Sequence, residues 1–383
     1  MGDPELVGRF TLVLAISAPI FLMTGLNLRT LQVTDARRTY RLEEFFALRT
    51  ILGVVGAAAT LLVGVVVSLD SDLLVALTAM CLAKYIEGLN VSCYGYMAIR
   101  QRFDLSSQSS IIRGVAGPAF FALGLAVTGE LWGAIIGLAS AWLMVQFLWD
   151  MRWTRRLAAE EGRPLKSMST ARRGALVQMA KRALPLGVDQ GVSSYTVNVP
   201  RYSVQNAFGS GLLGVYAAQA YLAQIITMVT MSMMGVLVPR LSRAYADGRR
   251  RAFVRDLLRL AIVGTALCLV AVVAALLVGD LVIGAVLGEE YVDRALLVTL
   301  MVSAGAITLQ RVLSKGLEAS HQFGRYLMVD VITLGTVAVA VGPLVSVLGI
   351  VGAAVATTIG YGVGALVMTG FLVRIVSRMP TSP

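Results

Sequence analysis

The chain has 383 residues, of which 57% are hydrophobic and only 14% are charged. A soluble domain carries about 25% charged residues, and a soluble protein of this size could not bury so much apolar surface. With a mean hydropathy of +0.77, the composition excludes a soluble enzyme, a disordered chain and a collagen-like chain. It predicts an all-α polytopic membrane protein.

The cysteines and the histidine restrict the possible chemistry. Cys81, Cys93 and Cys268 lack the spacing of a metal site or of a disulfide framework. A single histidine argues against a histidine-based metal cluster or catalytic triad. We therefore predict no cofactor and no metal. The formal net charge of +11 is interpreted as membrane orientation rather than nucleic-acid binding.

Eleven stretches are long and apolar enough to cross a bilayer, which takes about 20 residues of helix. In chain order they are 9–28, 50–69, 73–93, 111–129, 131–149, 183–205, 211–238, 258–279, 294–313, 326–345 and 349–373. The stretch 183–205 is among the least apolar and carries Asp189, Gln190, Tyr195, Asn198 and Arg201. It is therefore expected to face protein or water on one side.

Charge separates cleanly across this predicted topology. If the segment after the first span is cytoplasmic, the inner segments are 29–49, 94–113, 150–182, 239–259, 311–325 and 374–383. Together they contain 29 of the 33 Lys and Arg residues. Cytoplasmic loops of membrane proteins are enriched in basic residues. The distribution therefore predicts a cytoplasmic C-terminus.

An internal repeat predicts two lobes. The segments 26–56 and 237–264 both begin at the end of an apolar span with an arginine, Arg29 or Arg240, and continue through Asp35 or Asp247 and a basic cluster. The first span then corresponds to the seventh. The seventh span is preceded by the sixth, whereas the sequence shows no span before the first. A design with six helices per lobe would place one more helix before residue 1, giving twelve spans or more.

This repeat predicts three parts. Residues 1–149 form an N-terminal lobe of five spans, 150–182 a cytoplasmic linker, and 183–383 a C-terminal lobe of six spans. The middle of the linker is polar and contains Gly162 and Pro164, which is typical of a loop. Its end, 171–183, is predicted to be a basic amphipathic helix on the inner membrane face, with a solvated linker as the alternative.

Acidic residues inside the spans are costly and mark candidate ion-coupling sites. Lys84 and Glu87 lie three residues apart on one helix face, where they either pair with each other or line a cavity. Asp189 is a candidate proton or cation site, or alternatively the partner of an arginine. Asp330 lies near the inner end of its span, where a capping or interfacial role is the alternative to ion coupling.

Basic residues near or inside the spans are candidate ligands for an anionic substrate, with Lys84 among them. Arg201 follows Pro200, whose kink would turn it towards a central cavity, and Asn198 precedes it by one turn. The alternative for Arg201 is snorkelling to the headgroups. Arg29 and Arg113 lie at inner membrane boundaries, so ordinary positive-inside placement is their alternative. Arginine suits phosphate because its planar fork binds two oxygens at once.

Catalysis is not expected. The predicted outer loops are too short for a catalytic domain, and the sequence contains neither a phosphate-binding loop nor a nucleophile elbow. An ATPase is therefore unsupported, and transport would be driven by ions or by a gradient.

Five segments resemble polysaccharide-export flippases of the multidrug/oligosaccharidyl-lipid/polysaccharide exporter superfamily, above all the O-antigen and capsule repeat-unit flippases of bacteria. They are LAISAPIFLMTGLNLRTLQVTD (14–35), ALPLGVDQGVSSYTVNVPRYSVQNAFGSGLLGVYAAQAYL (183–222), VPRLSRAYADG (238–248), LGEEYVDRA (287–295) and LGIVGAAVATTIGYGV (348–363). The similarity covers almost the whole chain. It implies two six-helix lobes around a cationic cavity that accepts a polyprenyl-pyrophosphate-linked oligosaccharide.

The resemblance thus implies a flippase of the bacterial inner membrane that acts in polysaccharide or lipopolysaccharide biosynthesis, in contact with membrane lipids and with a polysaccharide polymerase as a possible partner. A multidrug and toxin extruder of the same superfamily is the alternative within transport. Basic rather than acidic cavity groups argue mildly against it. A membrane-bound polymerase or glycosyltransferase, or an assembly scaffold, is the alternative of another class.

Overall fold

The computed structural model describes residues 3–35, 39–162, 165, 167–320 and 322–378, and within these ranges all regular secondary structure is helical. The helices are α1 (Pro4–Thr24), α2 (Leu28–Thr34), α3 (Leu42–Val66), α4 (Ser71–Ile99), α5 (Phe103–Thr128), α6 (Leu131–Val145), α7 (Met151–Glu160), α8 (Arg173–Ala246), α9 (Arg250–Val286), α10 (Arg294–Ala319), α11 (Phe323–Leu348) and α12 (Ile350–Arg378). A π-helical segment, Gln146–Asp150, joins α6 to α7, and single 3-10 turns lie at Met168–Thr170 and Glu289–Tyr291.

Every predicted span coincides with a helix. Among the described residues, ten helical segments are long and apolar enough to cross a membrane. One of them, Arg173–Met231, has 59 residues and contains the predicted span 183–205 and most of the predicted span 211–238. The predicted fold class is therefore confirmed, and the chain is a multi-pass membrane protein. Apolar side chains on α5 and α9 are exposed, with Val115 70% and Leu277 75% accessible, as expected for faces that contact lipid.

The break inside α8 lies at a glycine. Gly209 has φ 76° and ψ −174°, and it is the non-helical position within the 74 residues of α8. A positive φ carries no steric cost for glycine because it lacks a Cβ atom. The sequence predicted an outer loop, 206–210, between the spans 183–205 and 211–238. This prediction is too long, because helix continues on both sides of Gly209. The backbone keeps helical dihedral angles through Pro200, where the sequence predicted the kink.

The segment before α8 is held by ion pairs to other helices. The Arg172 Nε atom donates to a Glu44 carboxylate oxygen at 2.7 Å, and Arg100 contacts Glu161 at 3.0 Å. The hydrogen bonds and charge of Glu44 raise the pKa of Arg172. The predicted interfacial helix 171–183 forms the first turns of α8 rather than a separate helix. Its position on the membrane surface stays a prediction.

The chain divides into two compact units. The N-terminal unit is Val13–Ser194, and the C-terminal unit consists of the described residues up to Leu12 together with those from Tyr195 onward. The predicted lobes, 1–149 and 183–383, stay predictions.

Two small apolar clusters form the inner core of the N-terminal unit. One packs α2, the turn before it and the start of α3 against the first turns of α8, and its buried members are Leu26, Leu28, Tyr40, Phe45, Leu48, Met179 and Ala183. The other joins α4 to α7 through Tyr94, Tyr96, Met97, Leu105, Leu157 and Ala158. These clusters hold the neighbouring ends of the helices together.

The C-terminal unit contains a larger cluster between α8, α9, α10 and α12, with Leu241, Phe253, Val312 and Met368 fully buried. In the same unit, glycines bring the start of α1 against α8. A Cβ atom on Gly8 would lie 1.7 Å from the Ser210 carbonyl oxygen, and one on Gly214 would lie 1.9 Å from that of Pro4. Small residues permit such close backbone packing between membrane helices.

Candidate functional site

A cavity of about 310 Å³ with charged groups in its lining lies within the N-terminal unit, between α1, α3 and α4. Its most buried cation is Arg49, whose exposed fraction is 8%. The Arg49 Nη1 atom donates to the Gly25 carbonyl oxygen at 3.0 Å. The Arg49 Nε atom is buried and has no hydrogen-bond partner among the described residues. A buried guanidinium with an unused donor provides a site for an anionic oxygen.

An ion pair lies beside this arginine in the same cavity. The Lys84 ammonium contacts a Glu87 carboxylate oxygen at 2.8 Å, with exposed fractions of 17% and 39% for the two side chains. Glu87 also acts electrostatically on Arg49. The three charged groups that line the cavity, two cations and one carboxylate, therefore leave one net positive charge.

The remaining lining determines the shape of the cavity. Asn27 and Gln190 add amide groups, and Tyr85 adds an aromatic face. Gly88 brings the α4 backbone close to Arg49, since a Cβ atom there would lie 3.2 Å from the Arg49 Cδ atom. The cavity therefore combines a guanidinium, amides and an aromatic ring, which together suit an anionic head group with hydroxyl substituents.

A second polar cluster, which we call the Asp150 network, is fully buried between α4, α5 and the π-helical segment. The Asn90 Nδ2 atom donates to Gln146 Oε1 at 2.5 Å and to Asp150 Oδ2 at 2.6 Å. Asn90 and Asp150 are both 0% exposed. A fully buried ionisable residue is costly unless it is hydrogen-bonded, so it is expected to serve structure or function. Sequence reasoning missed this residue, because Asp150 lies at the start of the predicted linker.

Arg113 borders the Asp150 network. Its Nη1 atom donates to the Tyr94 hydroxyl at 3.5 Å, and its guanidinium lies 4.6 Å from the centre of the Trp142 ring. Tyr94 shares a hydrogen bond of 2.8 Å with Ser109. Arg113 also acts electrostatically on Asp150. Arg113, which the sequence predicted as a substrate ligand, therefore contacts side chains of the protein itself.

Arg201 and Asn198 are brought together on α8 in the C-terminal unit. The Arg201 Nη1 atom donates to Asn198 Oδ1 at 2.9 Å, and the guanidinium lies 5.7 Å from the Tyr221 ring centre. Asn198 is 4% exposed. The pairing follows from their spacing of three residues, which places both side chains on one helix face.

Asp330 lies in a separate polar cluster of the C-terminal unit. It is 8% exposed, and the Gln310 Nε2 atom donates to it at 3.2 Å and to the Thr333 hydroxyl at 3.1 Å. Gly364 lets α12 approach these groups, since a Cβ atom there would lie 2.4 Å from Gln310 Oε1. These buried hydrogen bonds connect α10 to α11 through Asp330, which favours a structural role for this residue. Its ion-coupling role stays a prediction.

The predicted site residues thus lie in several places. Lys84 and Glu87 share the N-terminal cavity, Asp189 is half-buried one residue before the lining residue Gln190, and Arg29 is exposed on α2. Sequence reasoning missed Arg49, because it placed this residue in a cytoplasmic segment. The roles of all these residues stay predictions.

Solved structures with the same fold exist, although no protein-family model matches the chain. An inward-facing multidrug resistance MATE family transporter of the MOP superfamily superposes with a TM-score of 0.77, covering 98% of this chain and 92% of that one, at 14% identity. The chain therefore shares the fold of this transporter. The lipid II flippase MurJ, in an inward closed conformation, gives a TM-score of 0.72 over 98% of this chain and 88% of its own, at 11% identity.

A sequence relative agrees with this fold. The capsular polysaccharide biosynthesis protein CapF of Staphylococcus aureus is 22% identical over 302 residues, which cover 79% of this chain and 74% of that protein. The MATE transporter VcmN of Vibrio cholerae, in its bent form, superposes with a TM-score of 0.60 over 96% of this chain and 86% of its own, at 12% identity. The resemblance identified from the sequence is confirmed for the fold.

Proposed function

We propose that this protein is a flippase that moves lipid-linked oligosaccharide units across the bacterial cytoplasmic membrane for polysaccharide biosynthesis. The observation that carries the proposal is the cavity of the N-terminal unit, where Arg49 and Lys84 outnumber Glu87 inside a membrane-embedded bundle. The fold shared with MurJ and the similarity to a capsular polysaccharide biosynthesis protein support it.

The head group of the substrate explains the chemistry of the cavity. A pyrophosphate linked to a polyprenyl lipid carries several anionic oxygens, and a guanidinium binds two such oxygens in parallel. The unused Nε donor of Arg49 would satisfy one of them. Asn27 and Gln190 supply amide groups for sugar hydroxyls. The lipid tail would stay in the bilayer while the head group crosses by alternating access.

The other parts of the proposal follow from the predicted topology and site. The C-terminus lies in the cytoplasm, and a polysaccharide polymerase is the downstream partner. Arg201 and Asn198 contribute a second anion-binding group in the C-terminal unit. The protein moves its substrate without chemical change and is therefore a transporter rather than an enzyme.

Multidrug extrusion is the second candidate function. The TM-score of 0.77 with a multidrug resistance transporter favours it. A cationic drug would require a cavity with excess negative charge. The net positive charge around Arg49 opposes that requirement, and the flippase is therefore preferred.

The test is transport by the purified protein in vesicles. We expect it to move a fluorescent polyprenyl-pyrophosphate oligosaccharide between leaflets and to leave a cationic dye in place. The variant Arg49→Gln should lose this activity, whereas Arg155→Gln, which removes an exposed arginine of α7, should keep it. Efflux of the cationic dye without lipid movement would reject the flippase and favour the extruder.

A further inference from the structure

A wide groove runs along α9 and α12 in the C-terminal unit, at the end where α9 begins. Its volume is about 1310 Å³, and within the described part of the chain its lining includes five arginines and no carboxylate. The arginines are Arg249, Arg250, Arg251, Arg255 and Arg259. We call it the α9–α12 groove. None of these residues belongs to the polar sites described above.

The arginines form a stripe on one face of α9. Arg251, Arg255 and Arg259 follow one another at intervals of four residues, and all three are exposed. Such spacing aligns side chains along one side of a helix, and eight residues correspond to about 12 Å. The Arg255 Nε atom contacts the neighbouring Asp256 at 3.4 Å. Arg251 and Arg259 have no carboxylate partner among the described residues.

An apolar surface continues from the stripe. Leu258 and Ile262 are 55% and 65% exposed on α9, and Val373 is 62% exposed on α12. Leu257 and Leu372 form the floor between the two helices and are buried. The groove therefore has a cationic end and an apolar end, joined within one surface.

The length of α9 relates this surface to the membrane. The helix has 37 residues, whereas a span needs about 20. The basic residues occupy its first turns, and an apolar span follows them in sequence. The arginines therefore fit the headgroup layer, while Ile262 and Val373 fit the acyl-chain region. Basic pockets between membrane helices bind anionic headgroups in this way.

We propose that the α9–α12 groove is a binding site for an anionic phospholipid of the cytoplasmic leaflet. Its phosphate is held by Arg251, Arg255 and Arg259, and one acyl chain lies on the apolar surface beside Val373. A headgroup with two phosphates fits best, because the stripe extends over about 12 Å. A soluble anion would leave the apolar end unused, and a zwitterionic lipid would leave the positive charge uncompensated.

Native mass spectrometry of the detergent-purified protein tests this site. With cardiolipin, phosphatidylglycerol or phosphatidylcholine added in equal amounts, we expect one cardiolipin to be retained at least ten times more strongly than phosphatidylcholine. The triple variant Arg251→Gln, Arg255→Gln and Arg259→Gln should lose this preference. The control triple variant Arg155→Gln, Arg173→Gln and Lys181→Gln removes the same charge from exposed positions and should retain it.

A second variant separates the tail from the headgroup. Val373→Trp fills the exposed apolar end and leaves the arginines intact, so it should weaken cardiolipin retention. Free pyrophosphate, a soluble anion without an acyl chain, should not displace cardiolipin from the wild type. Equal retention by the arginine variant and the wild type would overturn the proposal. It would also be overturned if phosphatidylcholine bound as well as cardiolipin, or if a polyprenyl pyrophosphate displaced cardiolipin stoichiometrically, since the groove would then belong to the transported lipid.

Discussion

The net charge of the N-terminal cavity should set the affinity for an anionic head group. Arg49→Gln lowers this charge from one positive to zero, and Glu87→Gln raises it to two. At an effective dielectric constant of about 20 and a separation of about 8 Å, one charge contributes roughly 2 kcal/mol. Since 1.4 kcal/mol corresponds to a tenfold change, each step should alter Kd by about thirtyfold or somewhat less after screening by salt.

The assay is the binding of a fluorescent polyprenyl pyrophosphate to each purified variant at fixed ionic strength. Affinity should increase from Arg49→Gln through the wild type to Glu87→Gln. A parallel transport measurement separates two roles of the carboxylate. If Glu87 couples transport to an ion, Glu87→Gln binds more tightly but no longer transports.

Two outcomes would refute this reasoning. Equal affinities across the series would mean that the head group does not reach the cavity. A reversed order would mean that the cavity selects cations, as a drug extruder would. Arg155→Gln serves as the control, because this arginine is exposed on α7 outside the cavity lining. The affinity of this variant should remain within about threefold of the wild type, which is less than 1 kcal/mol.

Four further predictions concern other parts of the molecule. If Arg201 binds substrate, Arg201→Ala should abolish surface polysaccharide in a flippase-null strain at normal protein level, and Arg201→Lys should keep part of it; near-normal polymer from the alanine variant would exclude Arg201 from the site. Asp150→Ala leaves buried donors unpaired, so thermal unfolding in detergent should show a loss of about 1–3 kcal/mol; an unchanged midpoint would contradict the network. Gly214→Val should cost about 1–3 kcal/mol by overpacking in the same assay, unless α1 moves freely. A cysteine at Ser169 should be labelled only from the cytoplasm and one at Asn206 only from outside; reversed labelling would overturn the topology.

Much of the fold could be predicted because membrane spans are long apolar runs. All eleven coincide with helices, since burial in lipid requires every backbone group to be satisfied within its own helix. Short connections were harder. The predicted loop 206–210 is reduced to Gly209, because one glycine with a positive φ is enough to interrupt the helix. The first turns of α8 are likewise continuous with the span.

The site was only partly predictable because its contacts are distant in sequence. Lys84 and Glu87 lie three residues apart, so their pairing follows from helical spacing. The sequence placed Arg49 at the end of a cytoplasmic segment. In the structure, α3 begins at Leu42 and includes Arg49, whose side chain reaches the Gly25 carbonyl oxygen. Asp150 meets a partner 60 positions away. No local pattern indicates such a pair.

The π-helical segment Gln146–Asp150 accommodates one extra residue between α6 and α7. A π turn contains one residue more than an α turn. Deleting one residue here would therefore convert the π turn to an α turn and leave the buried Leu157 and Ala158 facing the core. The same deletion after Asp150 would instead rotate the rest of α7 by about 100°. Among related sequences, a one-residue gap at 146–150 should therefore leave the apolar pattern along α7 unchanged.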